Sequence, residues 1–281
     1  MKKFPPYLLL IAPIISWVSS LQAELIAYDS FTAGTDQSAG EYTDVVDGNY
    51  RLTSGQNPII TGFSGSWQSS GGTFRMGTAP PSSLSYTDGA SATLATAGNS
   101  IYRSATGISY RSFDSSLINF AVDRTYYISF LLQVTDVSKQ ARIVLGQDAQ
   151  DWRDPAIRID SNGFTLRQNG SNTKIADIDT NTHFAILKVD VNSAGTGHNL
   201  ELFWDPTLSS EGANVATNAG FNGAIPTNIL LSSKNTSGAI NFDELRIGTS
   251  WESVTPVPEP STYALLIGSL VMLFVAVRRR K

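Results

Sequence analysis

The sequence predicts an all-β fold, an antiparallel β-sandwich, and three observations predict it. Tyr126 to Val134 alternates, placing Tyr126, Ile128, Phe130, Leu132 and Val134 on one face, which is the period of a half-buried strand. Asn162-Gly163 and Asn169-Gly170 are hairpin signals, because both residue types tolerate positive φ. Charged residues make up only 16% of the chain and glycine numbers 23. The helix-forming Ala/Glu/Lys/Leu periodicity is nearly absent from the middle, which suits short strands joined by polar turns.

Taken in order, strands are expected at Glu24 to Phe31, Tyr50 to Thr53, Phe74 to Met76 and Ile101 to Arg103. The rest of Ser54 to Gly98 is rich in Gly, Ser and Pro and reads as long loops. After Tyr126 to Val134 comes a polar turn, Asp136-Val137-Ser138-Lys139, and a strand at Ala141 to Leu145. Ala156 to Asp160 and Phe164 to Arg167 flank the first Asn-Gly turn. Phe184 to Val191 turns Ala185, Leu187, Val189 and Val191 one way, and His198 to Asp205 returns with Leu200, Leu202 and Trp204 on one face. Ile229 to Ser232 and Ile240 to Ile247 complete the set. Roughly ten to fourteen strands without an internal repeat favour a sandwich over a propeller or solenoid.

The two ends differ from this middle. Met1-Lys2-Lys3, an apolar stretch from Tyr7 to Val18 broken by Pro13, and small residues up to Ala23 have the three-part order of a secretory signal peptide. Cleavage is expected after Ala23, with Ser20 as the alternative. At the other end Val257-Pro258-Glu259-Pro260 precedes an apolar run from Tyr263 to Val277 and the cluster Arg278, Arg279, Arg280 and Lys281. A helix of about 15 to 17 residues covers roughly 23 to 26 Å, a marginal span of a core about 30 Å thick. The basic cluster belongs on the cytoplasmic side. The expected organisation is a signal peptide over 1–23, a sandwich over 24–252, a Pro-rich linker with the sorting motif over 253–260, and a transmembrane helix with basic tail over 261–281.

Charge and cysteine content narrow the function. Six of the 20 basic residues and none of the 24 acidic ones lie in the removable ends, so the exported part carries 14 basic and 24 acidic residues, a net charge of −10. That excludes a nucleic-acid partner, which demands basic surface. The chain has no cysteine, so disulfides, haem attachment and thiolate metal sites are excluded.

The order Pro258-Glu259-Pro260, apolar run, Arg cluster resembles the PEP-CTERM family of sorting tails. The resemblance implies recognition and removal of the tail by an exosortase. It also implies earlier passage through the Sec translocon and signal peptidase, transient residence in the inner membrane, and a final place at the cell surface or in the matrix of a polysaccharide-producing Gram-negative bacterium. A second resemblance rests on Glu24 to Phe31, Gly62-Phe-Ser-Gly-Ser-Trp67, Tyr126 to Leu131 and Phe242-Asp-Glu-Leu-Arg-Ile-Gly248. These are similar to the concanavalin A-like, laminin-G-like jelly-roll domains of exported bacterial proteins. That resemblance implies carbohydrate or protein binding, and some relatives of the fold are glycoside hydrolases.

The residues offer no catalytic set. A retaining glycosidase needs two carboxylates about 5 Å apart on one face, and no strand carries them at same-face spacing. Asp243 and Glu244 are adjacent and point to opposite faces of a regular strand, reading as a last strand with one solvent-facing carboxylate. His183 and His198, the two histidines, follow no nucleophile-elbow pattern and read as strand-end residues. The loop Asp148, Asp151, Trp152, Asp154 is the candidate ligand site. Its carboxylates have the hard oxygens that calcium prefers, and Trp152 could stack on a sugar ring. The plainer reading is a solvated acidic loop with Trp152 on the rim. Trp67, Trp204 and Trp251 read as core or rim. The expected function is a non-enzymatic glycan-binding or structural module of the extracellular polysaccharide, without a cofactor unless calcium binds. The alternative is a polysaccharide-active hydrolase or lyase with a non-standard site.

Overall fold

The computed structural model describes residues 24–257, apart from 35, 37–40, 44, 47–48, 53–59, 72–73, 78–82, 104–106, 139, 147–155, 169–170, 194–197, 222–225 and 235–239. The strands begin with β1 (Leu25–Asp29), β2 (Val45–Val46), β3 (Asn49–Arg51), β4 (Phe63–Gly71), β5 (Phe74–Gly77), β6 (Ile101–Arg103) and β7 (Gly107–Phe113). They continue with β8 (Arg124–Val134), β9 (Gln140–Gly146), β10 (Ala156–Asp160), β11 (Gly163–Gln168) and β12 (Ser171–Ala176). The last are β13 (Thr182–Val191), β14 (His198–Trp204), β15 (Ala216–Phe221), β16 (Asn228–Lys234) and β17 (Ile240–Gly248), followed by one helical turn, α1 (Trp251–Val254).

They form two antiparallel sheets, as an all-β sandwich requires. The ten-stranded sheet runs β15-β14-β13-β8-β17-β6-β5-β3-β2, with β1 also on β17, and the seven-stranded sheet runs β12-β11-β10-β9-β16-β7-β4. Between them lies the main core. Tyr126, Ile128, Phe130, Leu132 and Val134 of β8 all belong to it, as do Ala185, Leu187, Val189, Leu200 and Leu202. The alternation read in the sequence therefore points into the sandwich.

The opposite face of β8 is buried too. Tyr127 and Leu131 join Phe184, Ile186 and Phe203 in a second cluster, closed by Leu84, Tyr86, Leu94, Leu208, Trp251 and Val254. The ten-stranded sheet thus carries an outer layer, made of segment 83–97 and the turn α1. Leu84 and Tyr86 of that segment are less than a tenth exposed. The expectation of long loops from Ser54 to Gly98 is corrected here. Nine of those residues form β4, and 83–97 is a strap laid on the sheet.

The first Asn-Gly turn closes β10 onto β11, with Asp160 paired to Gly163. Only the glycine takes positive φ, at 110°. A Cβ there would lie 2.2 Å from Ala176 O, so the hairpin requires glycine for space as well as for backbone angle. Asn162 donates its backbone N–H to Asp160 Oδ1 at 2.8 Å, a local turn bond of the Asx kind.

Candidate functional site

The candidate loop Asp148, Asp151, Trp152 and Asp154 lies outside the described residues, as do Ala23, Pro258, Glu259, Pro260 and the cluster Arg278 to Lys281. The loop joins β9 to β10. Its neighbour Gly146 pairs with Asn228, and Ala156 pairs with Val144. Of the sorting motif only Val257 is described, and it packs against the outer cluster.

Two ionic clusters that the sequence did not reveal are buried instead. In the first, Asp29 Oδ2 accepts from Tyr42 Oη at 2.6 Å, Trp67 Nε1 at 2.9 Å and Arg111 Nη1 at 3.0 Å, while Phe31 N donates to Oδ1 at 3.0 Å. Arg111 Nε donates to Gly65 O at 3.0 Å, and the guanidinium lies 4.8 Å over the Phe63 ring. Asp29 comes from the ten-stranded sheet and Trp67 and Arg111 from the seven-stranded one, so the cluster joins the two. Burial and the Asp29 carboxylate hold the Tyr42 phenol well above its ordinary range. A signal was present: along β7, Ser109, Arg111 and Phe113 share a face, and a lone arginine among core positions calls for a buried acid.

The second cluster sits at a bulge in β17, where the register on β8 shifts between Asp243 and Arg246. There β17's second partner changes from β6 to β1. Glu244 takes φ of 55°, in the left-handed region. The bulge brings both carboxylates to the strap side of the sheet, and each residue is 0% exposed. The expected solvent-facing carboxylate is thereby corrected, since opposite faces of a strand are guaranteed only where the pleat is regular. Asp243 Oδ2 accepts from Ser83 Oγ and Leu84 N, each at 2.7 Å, and its Oδ1 accepts from Glu244 N at 2.8 Å. Glu244 accepts from Tyr28 Oη at 2.8 Å, from Ala97 N and from Arg246 Nη2, which also donates to Ala95 O. Arg246 Nη1 is buried with no hydrogen-bond partner among the described residues, although the guanidinium stacks 4.8 Å over Tyr28. Burial, reinforced by the Glu244 charge, pushes Asp243 up to about 8 against its three donors. Burial raises Glu244 as well, opposed mainly by Arg246.

Among the described residues, this is the pair of adjacent buried acids on one strand. Both are sealed under the strap, and one oxygen of each, Asp243 Oδ2 and Glu244 Oε1, is bonded to it. They act as fasteners: Asp243 and Glu244 hold residues 83, 84 and 97. Asp88, on the strap, accepts from Ala90 N, Ala92 N and Leu208 N.

His183 and His198 stand at strand ends, the second residue of β13 and the first of β14. His183 is held between Asp205 (Nδ1···Oδ2 2.7 Å) and Asp179 (Nε2···Oδ1 2.9 Å), with Phe164 edge-on to its ring and Trp204 tilted against it. Burial alone would lower its pKa, but the Asp205 and Asp179 carboxylates outweigh it and the value is raised. His198 is lowered by burial. Trp67 and Trp251 are core residues and Trp204 is partly buried. Among the described residues no group of three or more His, Asp or Glu side chains could hold a metal ion.

The C-terminal exit is built more firmly than a linker. Ser250 caps α1, accepting from Ser253 N at 3.3 Å, and Trp251 Nε1 donates to Leu208 O at 3.1 Å. Gly248 lets the turn fold back, because a Cβ there would meet Ser253 Oγ at 1.9 Å. Ser129 Oγ donates to Val254 O at 3.2 Å and Ala95 N to Pro256 O at 2.7 Å. Residues 253–255, read from sequence as linker, are buried. An extended spacer can begin only after Val257. Among the described residues no helix is long and apolar enough to cross a membrane.

Residues 256–281 match the PEP-CTERM protein-sorting motif. The match marks the chain, through its tail, as an exosortase substrate exported along that route. No curated protein sequence matches the chain. Among solved structures, it aligns with the binding domain of botulinum neurotoxin DC in complex with rat synaptotagmin II at 11% identity and TM-score 0.41, covering 75% of this chain and 51% of that one. It aligns with the same toxin's binding domain in complex with SialylT at 14% and 0.37, covering 65% and 47%. It aligns with the T. cruzi calreticulin globular domain at 13% and 0.38, covering 76% and 95%. The chain spans about half the length of the neurotoxin domains. Overlaps of this extent carry no information on ligand or activity.

Proposed function

We propose that this chain is an exported, non-enzymatic module of the cell surface or extracellular polysaccharide, delivered by exosortase and built to bind glycan or to pack into the polymer. The observation that carries the reading is the sorting motif at 256–281. The arrangement of the domain supports the rest. Its strand-borne acid pair, Asp243 and Glu244, is consumed in holding the strap. The exported part has a net charge of −10, suited to a hydrated matrix rather than to nucleic acid. In this reading the signal peptide is cut after Ala23, and residues 263–277 hold the precursor in the inner membrane with Arg278 to Lys281 inside. The loop Asp148, Asp151, Trp152, Asp154 is the surface that would meet a sugar, with calcium as the ion its carboxylates would take.

Two measurements test this. Mass spectrometry of the mature protein should find a new C-terminus beside Pro258-Glu259-Pro260, abolished when these three are replaced by alanine. A retained tail in an exosortase-positive host would overturn the sorting half. The mature protein on a glycan array that includes the host's own polysaccharide should bind without releasing reducing sugar. Sugar release lost on acidic-residue substitution would replace this reading by the hydrolase one.

A further inference from the structure

We propose that the outer face of the ten-stranded sheet, formed by α1 and the 83–97 strap, is the surface that the unprocessed protein turns to the phospholipid bilayer, and that the seven-stranded sheet faces away. The proposal rests on reading residues 263–277 as a membrane span.

The first argument is reach. The domain is fastened as far as Val257, through Val254 O, Pro256 O and the packing of Val257 itself. Six residues carry the chain from Val257 to Tyr263, where the apolar run begins. Fully extended, they cover about 20 Å. A globule of this length has a radius of gyration of about 17 Å and hence a width of about 45 Å. The tether is shorter than half that width, so the face it leaves from must be the near one. The other apolar segment joins at the same strand: Thr249 N donates to Glu24 O at 3.1 Å, and Leu25 pairs with Gly248.

The second argument is the chemistry of the face. The exposed strap residues Ser85, Thr87, Gly89, Ala90, Ser91 and Thr93 are uncharged. The strap's own acid, Asp88, is turned onto three backbone N–H groups. The exposed charges beside them are Glu252 on α1, Glu211, which accepts from Tyr127 Oη and Lys188 Nζ, and Asp205, next to the Pro206 carbonyl that accepts from Tyr86 Oη. Residues 24–260 carry a net charge of −10, and the uncharged strap is the part of this face that meets anionic lipid with least repulsion.

The chain has no cysteine, so single labels are clean. Ser85 on the strap and Thr173 on β12 are both exposed. The full chain carrying Ser85→Cys or Thr173→Cys, labelled with an environment-sensitive fluorophore, is reconstituted into phosphatidylcholine/phosphatidylglycerol vesicles containing nitroxide lipids. The label at 85 should be quenched and the label at 173 should not. Equal or reversed quenching in protein that floats with the vesicles overturns the orientation alone. Failure to float overturns the span reading and the orientation with it. Inserting a flexible 20-residue Gly/Ser linker after Val257, which adds an average reach of about 25 Å, should reduce the quenching at 85. Undiminished quenching overturns the tether argument.

Discussion

The two buried ionic clusters solve different problems with the same residue types. Asp29 and Arg111 meet between the sheets at 3.0 Å, with 1% side-chain exposure each, and Oδ2 of Asp29 gathers three donors from three separate segments. Glu244 and Arg246 are two residues apart on one strand, and their remaining bonds go to the strap and to β1. The first cluster joins two layers that must meet for the domain to exist. The second attaches an outer layer to a sheet that is already complete. Breaking the first should therefore be global, and breaking the second local.

The largest effect is expected at Arg111→Met. It strands the Asp29 carboxylate in the core, a situation that costs about 3–5 kcal/mol. Denaturant unfolding should show that loss in one cooperative transition, and Arg111→Lys should not restore it. Lysine cannot reach Asp29 Oδ2 and Gly65 O together as the guanidinium does. A change under about 1 kcal/mol would mean that the inter-sheet cluster is not a weld.

Next comes Glu244→Ala, which removes the bonds to Tyr28, Ala97 and Arg246 and leaves the arginine buried without its acid. A loss of about 2–3 kcal/mol is expected. Its signature should be faster hydrogen exchange at the Ala97 amide, which donates to Glu244, with little change at β8. Uniform acceleration across both sheets would erase the distinction between the clusters.

The pH dependence separates them further. Asp243 is raised from 3.8 to about 8, so between those values the folded state holds a proton that the unfolded state has released. Stability is greatest, with respect to this group, below about pH 4. It is lost as pH rises to 8, with a slope of at most about 1.4 kcal/mol per pH unit. The raised His183 acts in the same direction, its contribution being lost as pH rises through its folded value. Denaturation midpoints measured from pH 5 to pH 8 should fall, and Asp243→Asn should flatten the curve. A flat wild-type curve would show that the three donors to Asp243 keep it ionised.

What the sequence revealed follows the same division. β8, β10, β13 and β14 were legible because their inward residues are aliphatic or aromatic at period two. β4 was not: in Phe63–Gly71 only Phe63 and Trp67 are buried apolar side chains. Gly65 at φ 75° and a register shift between Ser64 and Gln68 break the period there. β12 is an edge strand whose first four residues are exposed, so it has no apolar face to read. β7 hides behind Arg111, a charge at a core position. The strap was read as loop because its order comes from side chains remote in sequence, Asp243 and Glu244 lying about 150 residues away. The sorting motif was fully legible, since its features are contiguous, whereas the acidic loop at 148–154 has no partner pattern that names a ligand.

The smallest effect tests how the outer layer ends. Ser250→Ala removes the side-chain acceptor of Ser253 N, and N-cap losses of this kind cost about 0.5–2 kcal/mol. The lower half of that range is expected, because Ser253 Oγ also donates to Ser250 O at 2.7 Å and survives the substitution. The Thr255 amide, which donates to Trp251 O at 3.1 Å, should exchange faster, while the Ala97 amide held by Glu244 should not. If Ala97 loosens together with Thr255, the strap and the exit turn are one cooperative unit. The outer layer would then open as a single flap, rather than as a fixed strap with a separately fastened tail.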